Sequence, residues 1–419
     1  MRTTSNIREA IILAGGLGTR LKSAVPDLPK CMAPVAGRPF IYYVINYLRN
    51  QGIERIVFSL GYKHEIVERY LHDEFSTLDY DCAIEAEPLG TGGAIKLAAS
   101  LCKSDTIVVV NGDTIFEVDL LNLAERAAAS DSICTLSLKP MLQFDRYGSV
   151  VTNDSGKIIS FEEKKWKEQG NINGGLYLLK RSLFTQFEFP DRFSFETDFL
   201  QNEKFRYLLS AFVDEGYFID IGIPDDFQKA QKDLQRPALD LSKIDKDWSL
   251  FLDRDGVINE DKPGSYIFNP EEFRFMDGVP EAFKVLGERF KYNFITTNQR
   301  GVGRGLMTEE MLHTINAKMK KGIEEAGGRL DAIYYATALS GRDPRRKPNP
   351  GMAVQARRDF PDINPSNCLM IGNNISDMQF GRNAGMYTVF LSTTNKEIRL
   401  PHPDIDLIFP DLPAFVKAL

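Results

Sequence analysis

The sequence predicts an α/β protein of two domains, each an open parallel sheet covered by helices. Three observations carry this. Short apolar runs alternate with amphipathic helical patterns, the signature of βαβ units and hence of a parallel sheet. At 419 residues the chain has room for two or three domains of about 150 residues each. A polar stretch at 237–247, containing Pro237 and lacking a hydrophobic period, reads as a linker between domains at 1–236 and 248–419.

Composition narrows the function classes. Hydrophobic residues make up 43% and charged residues 26%, as in ordinary globular proteins. A net charge of −7 and a pI near 5.4 argue against a nucleic-acid partner or an anionic membrane surface. No apolar run approaches the ~18 residues of a membrane span, and Met1–Ser5 lead into a strand with no signal segment. The five cysteines are odd in number and scattered. Reduced thiols in a cytoplasm are therefore expected. The four histidines stand away from cysteines and from each other, so a His/Cys zinc site is not expected.

The first strand is Ala10-Ile11-Ile12-Leu13-Ala14, followed by Gly15, Gly16 and Gly18. Such a loop turns backbone N–H groups inward and lets a phosphate approach without a Cβ in the way. Thr19, Arg20 and Lys30 follow, and the two cations suit a nucleoside triphosphate at the carboxyl end of a strand. The spacing matches neither a Walker loop nor a dinucleotide fingerprint. Helical spacing then predicts a helix over 39–51, with a strand at 55–60, a helix at 64–71, a strand at 82–85, a helix at 92–100 and a strand at 106–110.

Polar clusters recur at the strand ends. Glu87-Pro88-Leu89-Gly90-Thr91-Gly92-Gly93 either lines a base or ribose with backbone atoms or is a tight βα turn. Asn111-Gly112-Asp113 ends a buried strand, where a carboxylate can hold Mg²⁺ against phosphate oxygens. Glu163-Lys164 and Asn173-Gly174-Gly175 are candidate grips for sugar hydroxyls. Asp220, flanked by apolar residues, needs a partner, and a metal ion shared with Asp113 would supply one.

In order across about 8–233, these motifs resemble the sugar-1-phosphate nucleotidyltransferases, with a texture similar to the D-glycero-D-manno-heptose 1-phosphate guanylyltransferases. The resemblance implies a Rossmann-like sheet. It places the NTP, by resemblance GTP, against Leu13, Ala14, Gly15, Gly16, Gly18, Thr19, Glu87, Pro88, Gly90 and Thr91. Arg20 and Lys30 would act on the triphosphate, and Asp113 and Asp220 would hold Mg²⁺. Asn111, Gly112, Glu163, Lys164, Asn173 and Gly175 would face the sugar. Cys31 departs from the proline usual after the lysine. The chemistry needs no general base, because both reactants are already anionic; it needs cations, metal and backbone N–H groups.

The second half opens on the strand Trp248–Leu252 and then Asp253-Arg254-Asp255-Gly256. Carboxylates at i and i+2 share a side of an extended chain; one can attack phosphorus while the other protonates the leaving oxygen. Thr296-Thr297-Asn298-Gln299, Gly303-Arg304-Gly305, Arg346-Lys347-Pro348 and Ile371-Gly372-Asn373-Asn374-Ile375-Ser376-Asp377 follow.

That order, over about 248–415, resembles the haloacid dehalogenase superfamily, in its heptose bisphosphate and histidinol phosphatase branch, and implies a second Rossmann-like sheet. It makes Asp253 the nucleophile and Asp255 the acid/base, with Thr297 and Lys347 steadying the phosphoryl group. Asn298, Arg304 and Arg346 would contact substrate, and Asp253, Asp255 and Asn373 would hold Mg²⁺. Two departures stand out. The segment 335–341 lacks the Cys/His zinc ligands of that branch, so no zinc is expected. Asn373 stands where the family carries an aspartate, which implies a weaker Mg²⁺ site with Asp377 as a compensating carboxylate.

Together the halves suggest consecutive steps on one sugar: removal of the C7 phosphate of a heptose 1,7-bisphosphate, then transfer of a nucleotidyl group to the 1-phosphate. The alternatives are the same chemistry on mannose 1-phosphate or another sugar, and a second half that is a weak or regulatory module.

Overall fold

The computed structural model describes residues 7–16 and 25–419. The chain divides into two compact units, Met1–Arg236 and Pro237–Leu419.

In the first unit the strand Glu9–Leu13 lies at the centre, buried along almost all its length. It pairs in parallel with Arg55–Leu60 on one side and Thr106–Asn111 on the other, and Asp79–Ile84 extends the sheet beyond Arg55–Leu60. The connecting helices follow the expected periodicity. Phe40–Asn50 buries Phe40, Ile41, Val44, Ile45 and Leu48 on one face. Beyond Thr106–Asn111 the direction reverses. Lys167–Lys180 runs antiparallel to it, Cys134–Phe144 antiparallel to that strand, and Leu209–Val213 parallel to Cys134–Phe144. Sequence periodicity had not indicated this half. A short ribbon pairs Thr114–Phe116 with Phe218–Asp220 and sets Asp220 opposite Thr114.

The second unit is a six-stranded sheet, parallel throughout. Its order is Ala332–Ala336, Tyr292–Asn298, Ser249–Leu252, Cys368–Gly372, Tyr387–Leu391, Leu407–Phe409. The chain moves outward from Ser249–Leu252 on one side, then returns to build the other. This makes a topological switch point between Ser249–Leu252 and Cys368–Gly372. Residues 237–247, expected as a linker, fall within this unit. Ile244 is buried in its core and Leu241 packs against the same cluster, because apolar side chains gain by docking where a free linker would leave them in water.

All five cysteines are free thiols. Among the described residues no helix is long and apolar enough to cross a membrane.

Candidate active sites

In the first unit the carboxyl ends of Glu9–Leu13 and Thr106–Asn111 open a cavity of about 790 Å³. Leu13, Ala14, Gly15, Gly16, Pro88, Gly90, Thr91, Asn111, Gly112 and Asp113 line it. Space is tight at Gly15: a Cβ would lie 2.7 Å from Glu85 Oε1 and 3.3 Å from the Gly61 nitrogen. Gly18, Thr19 and Arg20 lie outside the described residues.

Lys30 sits in a short turn at Lys30–Met32, and its ammonium is ion-paired with Asp113 and, at 3.3 Å, with Asp220. The Gly222 N–H donates to Asp220 Oδ1 at 2.8 Å. Burial, and then the nearby Asp113 carboxylate, raise the Asp220 carboxyl above its ordinary value. Two carboxylates thus share one ammonium in a half-buried position. The excess negative charge, with both acids aimed at one point, suits a divalent cation.

In the second unit Asp253 follows the buried strand Ser249–Leu252, and its N–H donates to the Ile371 carbonyl at 2.9 Å across the switch point. Lys347, only 4% exposed, comes from the loop before helix Gly351–Asp359. Its ammonium reaches Asp253 Oδ1 at 2.8 Å, Asp377 Oδ1 at 2.7 Å and the Thr296 carbonyl at 2.8 Å. All three donors are therefore used. Burial first, and then the Asp377 carboxylate, push the Asp253 carboxyl up to about 7.

Asp255 is held by other partners. Arg254, fully buried, grips it through Nε at 3.2 Å and Nη2 at 3.1 Å, Gln299 Nε2 donates at 2.9 Å, and Asn259 Nδ2 at 3.0 Å. Gln299 Nε2 also donates to Thr297 Oγ1 at 2.9 Å, so Thr297 and Asp255 share one amide. Asn298 clasps the Lys347 backbone, accepting its N–H at 3.0 Å and donating to its carbonyl at 3.1 Å.

Asn373 is buried. Its Nδ2 donates to Thr394 Oγ1 at 3.0 Å and its Oδ1 accepts from Asn374 Nδ2 at 3.1 Å. Asp377 Oδ2 accepts the N–H groups of Asn373 and Asn374 at 3.2 and 3.0 Å, as part of a capping box on helix Ile375–Asn383. The carboxylate expected to compensate for Asn373 is thus committed to Lys347 and to the helix start. Among the described residues no three His, Cys, Asp or Glu side chains form a ready-made metal cluster. What favours a cation here is charge: among the described residues the Asp253, Asp255 and Asp377 carboxylates are ion-paired with Lys347 and Arg254 alone.

A nucleotidyl transferase family model matches residues 9–236, more than half of the chain. The chain belongs to the nucleotidyl transferase family. The D-glycero-alpha-D-manno-heptose 1-phosphate guanylyltransferase of Aneurinibacillus thermoaerophilus is 48% identical over 227 residues, 54% of this chain and 98% of that protein. The crystal structure of HddC from Yersinia pseudotuberculosis complexed with GMP-PN is 40% identical, with a TM-score of 0.50, over 54% of this chain and all of that one. A HAD-hydrolase-like model matches residues 344–414. The D-glycero-alpha-D-manno-heptose-1,7-bisphosphate 7-phosphatase of Campylobacter jejuni is 39% identical over 149 residues, 36% of this chain and 84% of that protein. The second unit is accordingly a HAD-type phosphatase domain.

Several expected site residues of the nucleotidyl transferase unit lie elsewhere. Glu87 is exposed and outside the cavity lining; Glu85 lines it instead. Glu85 Oε2 accepts the Leu89 N–H at 2.9 Å and Oε1 the Ser59 hydroxyl at 3.3 Å. Glu163 and Lys164 occupy an exposed loop between strands. The neighbouring Glu162 is the one engaged, with Lys167 and Ser149. Asn173 bonds Tyr177 and the Gly175 N–H, and does not line the cavity. Gly175 has φ +71°, and a Cβ there would meet Asn111 Nδ2 at 2.5 Å, so its lack of a side chain makes room for Asn111. Gly93 serves packing: a Cβ would stand 2.1 Å from the Asp191 carbonyl.

Ser59, Tyr62, Glu85 and Glu196 also line the cavity and escaped sequence reasoning. Glu85 carried a readable signal, since it is the first residue beyond the strand Asp79–Ile84. In the phosphatase domain, the grips of Arg254 and Gln299 on Asp255 were missed, because nothing in a D-x-D-G motif says where the intervening side chain turns.

Proposed function

We propose that this chain is a bifunctional enzyme of nucleotide-activated heptose synthesis. Its second unit removes the C7 phosphate of D-glycero-D-manno-heptose 1,7-bisphosphate. Its first unit transfers GMP from GTP to the resulting heptose 1-phosphate and releases pyrophosphate. The observation that carries this is the pairing on one chain of two anion-handling sites, Lys30 with Asp113 and Asp220, and Lys347 with Asp253. Relatives of the two halves are named for consecutive steps on the same sugar. The phosphorylated, water-borne substrates fit a cytoplasmic enzyme.

In the first reaction a phosphate oxygen of heptose 1-phosphate bonds to the α-phosphorus of GTP, and the bridging P–O bond to the β-phosphate breaks. Pyrophosphate leaves with the electron pair, and no proton moves. Lys30 offsets charge at the reacting phosphates, and the Gly15 and Gly16 backbone lets them approach. Arg20 is assigned to the triphosphate by family resemblance alone. Asp113 and Asp220 would hold Mg²⁺, which when bound neutralises phosphate oxygens. Guanine offers two adjacent donors, N1–H and N2–H, which the Glu85 carboxylate can accept together. Adenine presents an acceptor at N1 and would leave it facing a carboxylate.

In the second reaction an Asp253 oxygen bonds to the phosphorus of the C7 phosphate. The P–O bond to C7 breaks, and Asp255 in its acid form protonates the departing oxygen. Water then attacks the aspartyl phosphate, Asp255 takes a proton back, and phosphate leaves with Asp253 restored. Lys347 holds Asp253 in line, and Thr297 would donate to the phosphoryl oxygens. Asp253, Asp255 and the amide oxygen of Asn373 would hold Mg²⁺, with less charge than an all-carboxylate set provides.

The test is a product analysis. The chain incubated with heptose 1,7-bisphosphate, GTP and Mg²⁺ should release phosphate and pyrophosphate and form GDP-heptose by mass spectrometry. Neither phosphate nor pyrophosphate appearing would refute the reading.

A further inference from the structure

One residue ties the two acids of the phosphatase centre together. The Arg254 N–H donates to Asp253 Oδ1 at 2.8 Å. Its side chain reaches Asp255. Nε donates to Asp255 Oδ1 at 3.2 Å, and Nη2 donates to Oδ1 and to Oδ2 at 3.1 Å each. Both oxygens are held by one planar group, which fixes the carboxyl in rotation as well as in place.

The guanidinium is itself pinned. Nη1 donates to Asn316 Oδ1 at 3.3 Å and Nη2 to Gln299 Oε1 at 3.0 Å. Asn316 is buried on helix Glu309–Glu325, and Gln299 is buried just beyond strand Tyr292–Asn298. The Arg254 carbonyl accepts the Ile258 N–H at 2.8 Å, so main chain and side chain are both anchored. The Arg254 side chain is completely buried, whereas that of Asp255 keeps 29% of its surface exposed. The cation therefore cannot meet a substrate, while the carboxyl it holds can. Burying a guanidinium costs free energy that a well-packed hydrocarbon of the same size would not. Its one ion pair among the described residues is with Asp255, so the placement serves that carboxyl.

We propose that Arg254 is a positioning residue for proton transfer: pinned by Asn316 and Gln299, it aims the Asp255 carboxyl at the oxygen that leaves phosphorus. The inference rests on the phosphatase reading above and assigns Arg254 and Asn316, which that reading leaves idle. In that step the P–O bond to C7 breaks, the electron pair goes to the C7 oxygen, and the Asp255 proton joins it. Arg254 touches neither phosphorus nor sugar and acts through Asp255 alone.

The test is phosphate release by the full chain from heptose 1,7-bisphosphate and from p-nitrophenyl phosphate, for wild type, Arg254→Met and Arg254→Lys. The heptose oxygen must gain a proton as it leaves, whereas nitrophenolate leaves as the anion. The readout is kcat/KM, which ends at departure of the leaving group and excludes the later hydrolysis of the aspartyl phosphate. With Arg254→Met it should fall about 100-fold for the heptose ester, within the range a general acid contributes, and at least about tenfold less for the aryl ester. Arg254→Lys keeps a charge without the fork and should give an intermediate loss. Losses equal within about threefold on the two substrates, as a merely structural role would give, overturn the proposal and leave the phosphatase reading standing; so does no loss on either. Should the methionine variant not fold, the lysine variant decides by the same criterion. Should wild type not cleave the aryl ester, Arg254→Met is added to Asp255→Asn: no further loss on the heptose ester upholds the proposal, and an added loss overturns it. No phosphate from heptose 1,7-bisphosphate with wild type ends the phosphatase reading and this inference with it.

Discussion

At the level of single residues, Lys30 stands between two acids that both need a cation. Its ammonium is the only one paired with Asp113 and Asp220 among the described residues, so a neutral side chain there removes the charge proposed to meet the triphosphate. Lys30→Met should cut pyrophosphate release by roughly 10²–10³-fold, the usual cost of one preorganised donor at a developing charge. Coupled pyrophosphate detection with heptose 1-phosphate and GTP measures it; a loss below tenfold would take Lys30 out of the reaction. Glu85 makes a different test. Glu85→Gln replaces one carboxylate oxygen by an N–H₂ donor, which opposes the donors of guanine. Use of GTP should fall by roughly 10- to 100-fold, with ATP and CTP gaining relative to it, in competition assays of mixed NTPs. Asn373 tests the metal. A carboxylate there still accepts from Asn374 and can accept from the Thr394 hydroxyl, to which the wild-type amide donates, so Asn373→Asp should fold and should lower the Mg²⁺ concentration for half-maximal phosphate release by roughly tenfold, since charge count tunes such sites. An unchanged Mg²⁺ titration would mean that residue 373 does not touch the ion.

At the level of elements, both sites are made by strand ends, and each strand end brings a burial penalty. Asp253 closes the fully buried strand Ser249–Leu252, and the same burial raises its carboxyl from 3.8 to about 7. A group whose folded pKa is raised binds its proton more tightly in the folded state. Its stabilisation is complete below the unfolded value near pH 4 and is lost as the pH rises through about 7. Asp253→Asn removes that dependence while keeping the shape. In EDTA, the Tm of Asp253→Asn minus that of wild type should widen from about pH 4 to about pH 7 and level off above, when followed by circular dichroism. A difference independent of pH would show that Asp253 ionises freely. The glycines of helix Gly90–Leu101 show the other element-scale lesson. Gly90 and Thr91 border the cavity, yet Gly92 and Gly93 are needed where Phe193 and Asp191 press on the helix. A glycine run in sequence mixes ligand approach with plain packing, and only the neighbour decides which.

At the level of the whole molecule, two units with separate cores carry separate chemistry, and the reactions should come apart by mutation. Asp253→Asn should abolish phosphate release from heptose 1,7-bisphosphate and with it GDP-heptose formation from that substrate. Added heptose 1-phosphate should restore GDP-heptose to the wild-type rate, as read by chromatography of nucleotide products. Failure of that rescue would mean that the nucleotidyl transferase unit does not work independently of Asp253.

The sequence alone determined that both units are α/β and the strand ends at which their candidate sites lie. Strand and helix periods follow from local geometry, and the motifs 13–16, 111–113 and 253–255 sit where a buried strand stops. It also raised the expectation that both units handle phosphate, because Asp113 and Asp253 follow apolar strands and Lys30 and Lys347 stand in short proline-containing loops further along the chain. Tertiary structure alone decided the partners. Lys30 meets Asp220 from 190 residues away, Glu85 and not Glu87 faces the cavity, and Asp377 spends its carboxylate on Lys347. It also decided the antiparallel half built on Lys167–Lys180, whose strands find neighbours far along the chain. Periodicity reports which face of an element is apolar; which charge meets which depends on how distant elements pack, and no local pattern encodes that.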